Sequence, residues 1–159
     1  MGTLQFFNKR TLKLTNVLMY KLLLNEIEVY NDLDSVVEKM QNYINIKGSV
    51  QVGPLIQNMS FVSDENGNVS NVLTIMLQSS NYINNVEFPY SMESIIRIKD
   101  AMYCRFHGPE NMIGLAYSKI KVEAFEGDIP LKGDSYTIFV DRDEENETII
   151  ADVFMERAD

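Results

Sequence analysis

The chain reads as an α+β protein built from duplicated β-α-β-β units that form one antiparallel curved sheet with two helices on one face. Three observations predict this. The order strand, helix, glycine, strand, turn, strand occurs twice within 159 residues. The stretch GSVQVGPLIQNMSFV in the first half parallels GDIPLKGDSYTIFV in the second. One unit supplies only three strands and one helix, so two units side by side share a sheet and leave its other, concave face as a groove. The expected organisation is a single duplicated domain over 1–159, with repeat one at 11–79, a linker at 80–93 and repeat two at 94–157.

Thr3 to Phe7 is a short apolar start that pairs at a sheet edge, interrupted by Lys9 and Arg10. Leu12 to Leu24 is strand-like, and the alternation Leu18, Tyr20, Leu22, Leu24 is its clearest part, although the leucines leave a helix open. Asn31 or Asp32 can cap the helix that follows by accepting from a free N–H of its first turn. Leu33, Val36, Val37, Met40 and Ile44 then form one amphipathic stripe, which Gly48 ends. Gly53-Pro54 opens a strand over Leu55–Val62, Asp64–Asn68 is a hairpin turn around Gly67, and Val69–Leu77 returns. Residues 79–93 carry no hydrophobic period and read as the linker; their Tyr82, Phe88 and Tyr90 imply that it packs along a surface.

In the second half, Ile95, Ile96, Ile98, Ala101, Tyr103 and Phe106 mark a strand that His107-Gly108-Pro109 breaks. Pro109 suits the first turn of a helix, since it has no N–H to waste. Met112, Leu115, Ala116 and Ile120 follow at helical spacing, and Gly127 and Gly133 punctuate the exit. Ser135–Val140 and Ile149–Met155 are antiparallel strands joined by the polar loop Asp141 to Thr148. Gly53 aligns with Gly133 at an offset of 80; the first hairpin is two residues longer, so Thr74 aligns with Asp152 and Leu77 with Met155 at 78.

Composition narrows the function. No apolar run reaches the roughly 20 residues that span a bilayer, and the N-terminus lacks a convincing signal peptide. One cysteine excludes an internal disulfide, and a cytoplasmic protein is expected. Net charge is −9; residues 1–80 hold 6 basic and 7 acidic side chains, residues 81–159 hold 8 and 16. That acidic half and the lack of a basic stripe argue against nucleic acid. An acidic surface suits a basic protein partner or a cationic ligand, or simply keeps the chain soluble.

The candidate groove residues are Tyr20, Tyr103, Tyr136, Asp152 and Phe154. Asp152 lies between Ile149, Ile150, Val153 and Phe154; it lines the groove to meet a cation or a partner's Lys or Arg, or it faces solvent from a half-buried strand. The tyrosines offer ring area and a hydroxyl there, or serve as core and edge aromatics. Cys104 and His107 point to opposite faces of a strand, and His107 is expected to brace the helix start, so they do not suggest catalysis. One Cys and one His do not supply a zinc site. In DRDEENE, Asp141, Asp143 and Glu145 echo a calcium loop with Asp152 at position 12, but Asn146 replaces the turn glycine, and a solvated hairpin tip is expected. No nucleotide or hydrolase fingerprint appears. The expectation is a protein that is not an enzyme and needs no cofactor or metal.

The second half resembles the GyrI-like effector-binding domain. The matching features are His107-Gly108-Pro109 before a helix, one residue shorter than the family's step, Ala116-Tyr117 in the helix, Gly133-Asp134-Ser135-Tyr136 entering the hairpin, and an acid in the last strand. That acid is usually Glu in the family and is Asp152 here, about one methylene shorter. The resemblance implies a duplicated fold that binds a small, often cationic and hydrophobic molecule, as a sensor or sequestering domain. The whole chain also resembles EsaE-like accessory proteins encoded beside LXG-type toxins of type VII secretion. That implies a cytoplasmic chaperone or adaptor whose partner is a protein client, a secreted LXG-type or nuclease toxin, targeted to the secretion machinery without membrane insertion. Three-stranded halves leave edges that a homodimer would cover.

Overall fold

A computed structural model describes residues 2–23 and 33–159. Among these residues the fold is α+β, with six strands and two helices: β1 (Thr3–Leu23), α1 (Leu33–Ile46), β2 (Gln51–Ser63), β3 (Val69–Ser79), β4 (Tyr90–Pro109), α2 (Gly114–Glu126), β5 (Leu131–Asp143) and β6 (Thr148–Arg157). The chain divides into two compact units, one of Lys13–Ile96 and one of Met1–Leu12 with Arg97–Asp159.

In the unit Lys13–Ile96, β3 pairs antiparallel with both β1 and β2. Val36, Met40 and Ile44 of α1 pack on Leu18, Leu22, Leu73, Ile75 and Leu77, with Leu33 and Val37 at the margin. The apolar stripe of α1 is therefore the stripe the periodicity predicts. Met40 and Ile44 are fully buried, each contributing about 1.5–3 kcal/mol of transfer free energy. Gly48 at φ 82 closes the helix, its N–H donating to Asn45 O. The cap expected at Asn31 or Asp32, and Leu24 of the predicted strand, lie outside the described residues. In the hairpin turn, Asp64 Oδ1 accepts from the N–H groups of Asn66 and Asn68. The predicted linker packs onto this unit through buried Ile83 and through Tyr90, although Phe88 is exposed.

In the second unit, β6 pairs antiparallel with β4 and β5. Met102, Cys104 and Phe106 of β4 and Ala151, Val153 and Met155 of β6 pack against Ala116, Ile120 and Ala124 of α2. Two alanines in that stripe let helix and sheet approach closely. Met112 and Leu115, expected on the buried face, are both exposed. Pro109 is not in the helix: at ψ 138 it is extended, opposite Thr148 at the end of the β4–β6 ladder. A turn of 3-10 helix, Glu110–Met112, separates it from α2.

One further difference concerns strand length. Lys9 and Arg10 do not interrupt β1, because they point to opposite faces and both faces of that stretch are open enough to carry charge, with both residues exposed. Lys9 Nζ lies 3.6 Å from Asp100 Oδ1 within the same unit. The internal registers repeat as predicted: Asn58 faces Thr74 where Ile138 faces Asp152, offsets of 80 and 78. Gly53 (φ 77) and Gly133 (φ 104) sit in matching register shifts of β2 and β5, where a left-handed residue lets the strand absorb extra backbone.

Candidate functional site

Side chains alternate across a strand. Since Met102, Cys104 and Phe106 face α2, Tyr103 and Arg105 face the other way. Ala151, Val153 and Met155 likewise send Asp152 and Phe154 to that second face. Thr137 bonds to Tyr117 of α2 and Phe139 packs against the same core, so Tyr136 also turns away from the helix. The ladder then sets Arg105 opposite Asp152, and Tyr103 and Tyr136 on either side of Phe154.

Asp152 is buried, with 9% of its surface exposed, so it does not point to solvent. Its cost of burial is offset by three hydrogen bonds. Arg105 Nε donates to Oδ1 at 2.7 Å and Arg105 Nη2 to Oδ2 at 2.9 Å, a fork of the kind a planar guanidinium makes with a carboxylate. Tyr103 Oη donates to Oδ1 at 2.7 Å. The bond to Asp152 holds the Arg105 guanidinium above its ordinary range. Burial, then the bond to Asp152, pushes the Tyr103 phenol up to about 12. Burial also raises Tyr136.

An aromatic cluster surrounds this pair. Tyr103 lies 4.9 Å from the Phe154 ring and 5.9 Å from the Phe7 ring, centroid to centroid. The Arg10 guanidinium stacks 4.6 Å over Tyr103 and 5.2 Å over Phe7, a cation–π contact on the exposed edge of the cluster. Of the five candidate residues, Tyr103, Tyr136, Asp152 and Phe154 thus share one face. Tyr20 does not join them. It belongs to the other unit and packs edge-on against Tyr90 at 5.8 Å, beside the core of α1. Its alternation with Leu18 and Leu22 carried that signal. Arg105, Arg10 and Phe7 were missed; Arg105 alone left a trace, sharing the parity of Tyr103 in β4.

The remaining candidates stand apart. Cys104 is buried in the α2 core, and burial pushes its thiol up. His107 is exposed in β4 opposite Ile150, and does not brace a helix that starts at Gly114. Asp143 accepts from Asn146 N and Nδ2, which lowers its carboxyl and makes the DRDEENE stretch a hairpin tip. Among the described residues no cluster of His, Cys, Asp and Glu could hold a metal ion, and no helix is long and apolar enough to cross a membrane.

No protein-family model and no curated protein matches the chain. Solved structures do. The EcmrR–DNA complex, determined by cryo-EM, superposes with a TM-score of 0.56 at 10% identity, over 99% of this chain and 57% of that one. SAV2435 bound to tetraphenylphosphonium gives 0.53 at 8% identity, over 95% of this chain and 94% of that one. A protein assigned to bacterial transcription regulation from Staphylococcus aureus MU50 gives 0.51 at 9% identity, over 94% and 97%. These neighbours fit a GyrI-like effector-binding fold. At such identities the likeness carries the fold alone, and it does not extend to the EsaE-like group.

Proposed function

We propose that the chain is a non-enzymatic small-molecule-binding domain, which takes hydrophobic organic cations on the aromatic face around Asp152. The observation that carries this reading is a buried carboxylate walled by Tyr103, Phe154 and Tyr136. Rings supply contact area and a negative face to a delocalised cation, and the carboxylate answers its charge. Arg105 occupies that carboxylate from within. Its side chain is 40% exposed against 13% for Asp152, so it can swing to solvent while the acid stays in place. A bound cation replaces it, which makes affinity lower than for an unpaired acid and makes ligand binding and Arg105 release one event. The neighbour bound to tetraphenylphosphonium suggests the probe. Tetraphenylphosphonium should raise the melting temperature; Asp152→Asn should remove that rise, and Arg105→Gln should enlarge it. A rise unchanged in both variants would move the ligand elsewhere.

A second reading is the client-binding role, a cytoplasmic chaperone or adaptor for a type VII secreted toxin. One observation favours a protein partner. Leu115, Val122 and Phe125 of α2 are 45%, 51% and 84% exposed, so this helix is apolar on its outer as well as its inner side. Such a helix is expected to be covered. Co-expression with an LXG-type toxin tests it: a stable complex lost in Val122→Glu/Phe125→Glu supports the reading, and separate elution of the two chains opposes it.

A further inference from the structure

The duplicated ladder gives the unit Lys13–Ile96 a polar row at the register position that Asp152 holds in the other unit. In the unit Lys13–Ile96, Lys21 stands opposite Thr74 and Thr74 opposite Asn58. In the other unit Arg105 stands opposite Asp152 and Asp152 opposite Ile138. The alignment that equates Thr74 with Asp152 therefore equates Lys21 with Arg105. A base is kept at the same register position in both units, but the acid is not. Arg105 is answered by Asp152 within the chain. Lys21 has no acidic partner among the described residues.

This row opens on a cavity of about 310 Å³, whose lining includes Lys21, Asn58, Ser60 and Thr74 together with Val62 and Val72. That volume lies at the small end of ligand pockets, roughly 300–1,000 Å³. Thr74 and Asn58 are buried, at 3% and 7% exposure, so the polar groups belong to the floor and not to the rim. We propose that this cavity binds a small organic anion, a monocarboxylate with a short apolar tail. Its carboxylate would lie beside Lys21 where the Asp152 carboxylate lies beside Arg105.

The chemistry selects that class. The Lys21 ammonium offers three donors and the Thr74 and Ser60 hydroxyls one each, a set that suits two carboxylate oxygens. One cation matches one negative charge, whereas a phosphate dianion would leave surplus charge against Val62 and Val72. Those two valines accept an alkyl or aryl tail. Lys21 repels organic cations, so the site differs in ligand class from the face around Asp152 and stands whether or not that face is occupied.

Isothermal titration of the full chain with octanoate tests the assignment, with octanol as the uncharged molecule of the same tail. Octanoate should bind at one site and octanol much more weakly. Lys21→Met should weaken octanoate about tenfold or more, the scale of a lost charge-assisted hydrogen bond, while Lys39→Met on the exposed side of α1 should leave it unchanged. Thr74→Asp, checked for folding by its melt, should place a carboxylate beside Lys21 and abolish octanoate binding. Three results would each overturn the proposal: no binding at about millimolar octanoate, equal binding of octanol, or full affinity in Lys21→Met.

Discussion

Replacing Asp152 by Asn removes the charge at the centre of the aromatic face while keeping its shape. Two Arg105 bonds and the Tyr103 bond are at stake. The asparagine amide would keep an acceptor for Tyr103 and for one Arg105 N–H, but would set its own NH2 group against Nη2. A hydrogen bond to a charged group contributes about 1.5–3 kcal/mol, and a solvent-exposed ion pair about 0–1 kcal/mol. With the carboxylate 13% and the guanidinium 40% exposed, the pair lies between these limits, and a loss of about 2 kcal/mol is expected. For a chain of 159 residues that lowers the melting temperature by about 4–8 °C. A second readout separates this cause from general damage. Asp152 is responsible for part of the rise in Tyr103, after burial, so in the variant the phenol should titrate below about 12 yet above an exposed tyrosine. Thermal melts followed by circular dichroism and an ultraviolet phenolate titration give both numbers. A melting temperature unchanged within about 1 °C would refute the view that this pair is a stabilising, partly desolvated contact.

Other outcomes follow from the same geometry. The Tyr103 phenol is raised in the folded state from 10.0 to about 12, so its contribution to stability is complete below about pH 10 and is lost as pH climbs toward 12; urea melts of the wild type and of Tyr103→Phe between those limits should converge as pH rises. Gly133→Ala should cost about 1–2 kcal/mol, because φ 104 strains any side chain even though open space surrounds the site; Gly53→Ala at φ 77 is strained too, and its added Cβ would also press on Gln78 Nε2 at 3.3 Å. Ala116→Leu should cost about 1–3 kcal/mol by forcing α2 away from its sheet, since Ala116 is fully buried; a neutral effect in chemical denaturation would mean that the helix is not closely seated.

Local pattern was legible where burial is one-sided. The stripe of α1 has a polar opposite face, so periodicity alone located its core residues. The stripe of α2 does not: Leu115, Val122 and Phe125 are exposed while Ala116, Ile120 and Ala124 are buried, and hydrophobicity ranks these two faces the wrong way round. Glycines carried the repeat, because Gly53 and Gly133 occupy the same kind of left-handed break in β2 and β5. Asp152 was visible as an acid inside an apolar strand, but its partner was not. Arg105 is 47 residues away in sequence, and only the pairing of β4 with β6 brings the two together. Arg10 and Phe7 lay still further from view, in a stretch whose two adjacent charges look like a break but sit on opposite faces of one long strand, both exposed.

Whether the face around Asp152 receives a hydrophobic cation can be read residue by residue from chemical-shift mapping of the full chain titrated with tetraphenylphosphonium. Saturable shifts centred on Tyr103, Arg105, Asp152 and Phe154 are expected, with the Arg105 Nε signal losing its hydrogen-bonded position as the ligand binds. Binding without change at these residues, or no binding at all, would contradict the proposed site.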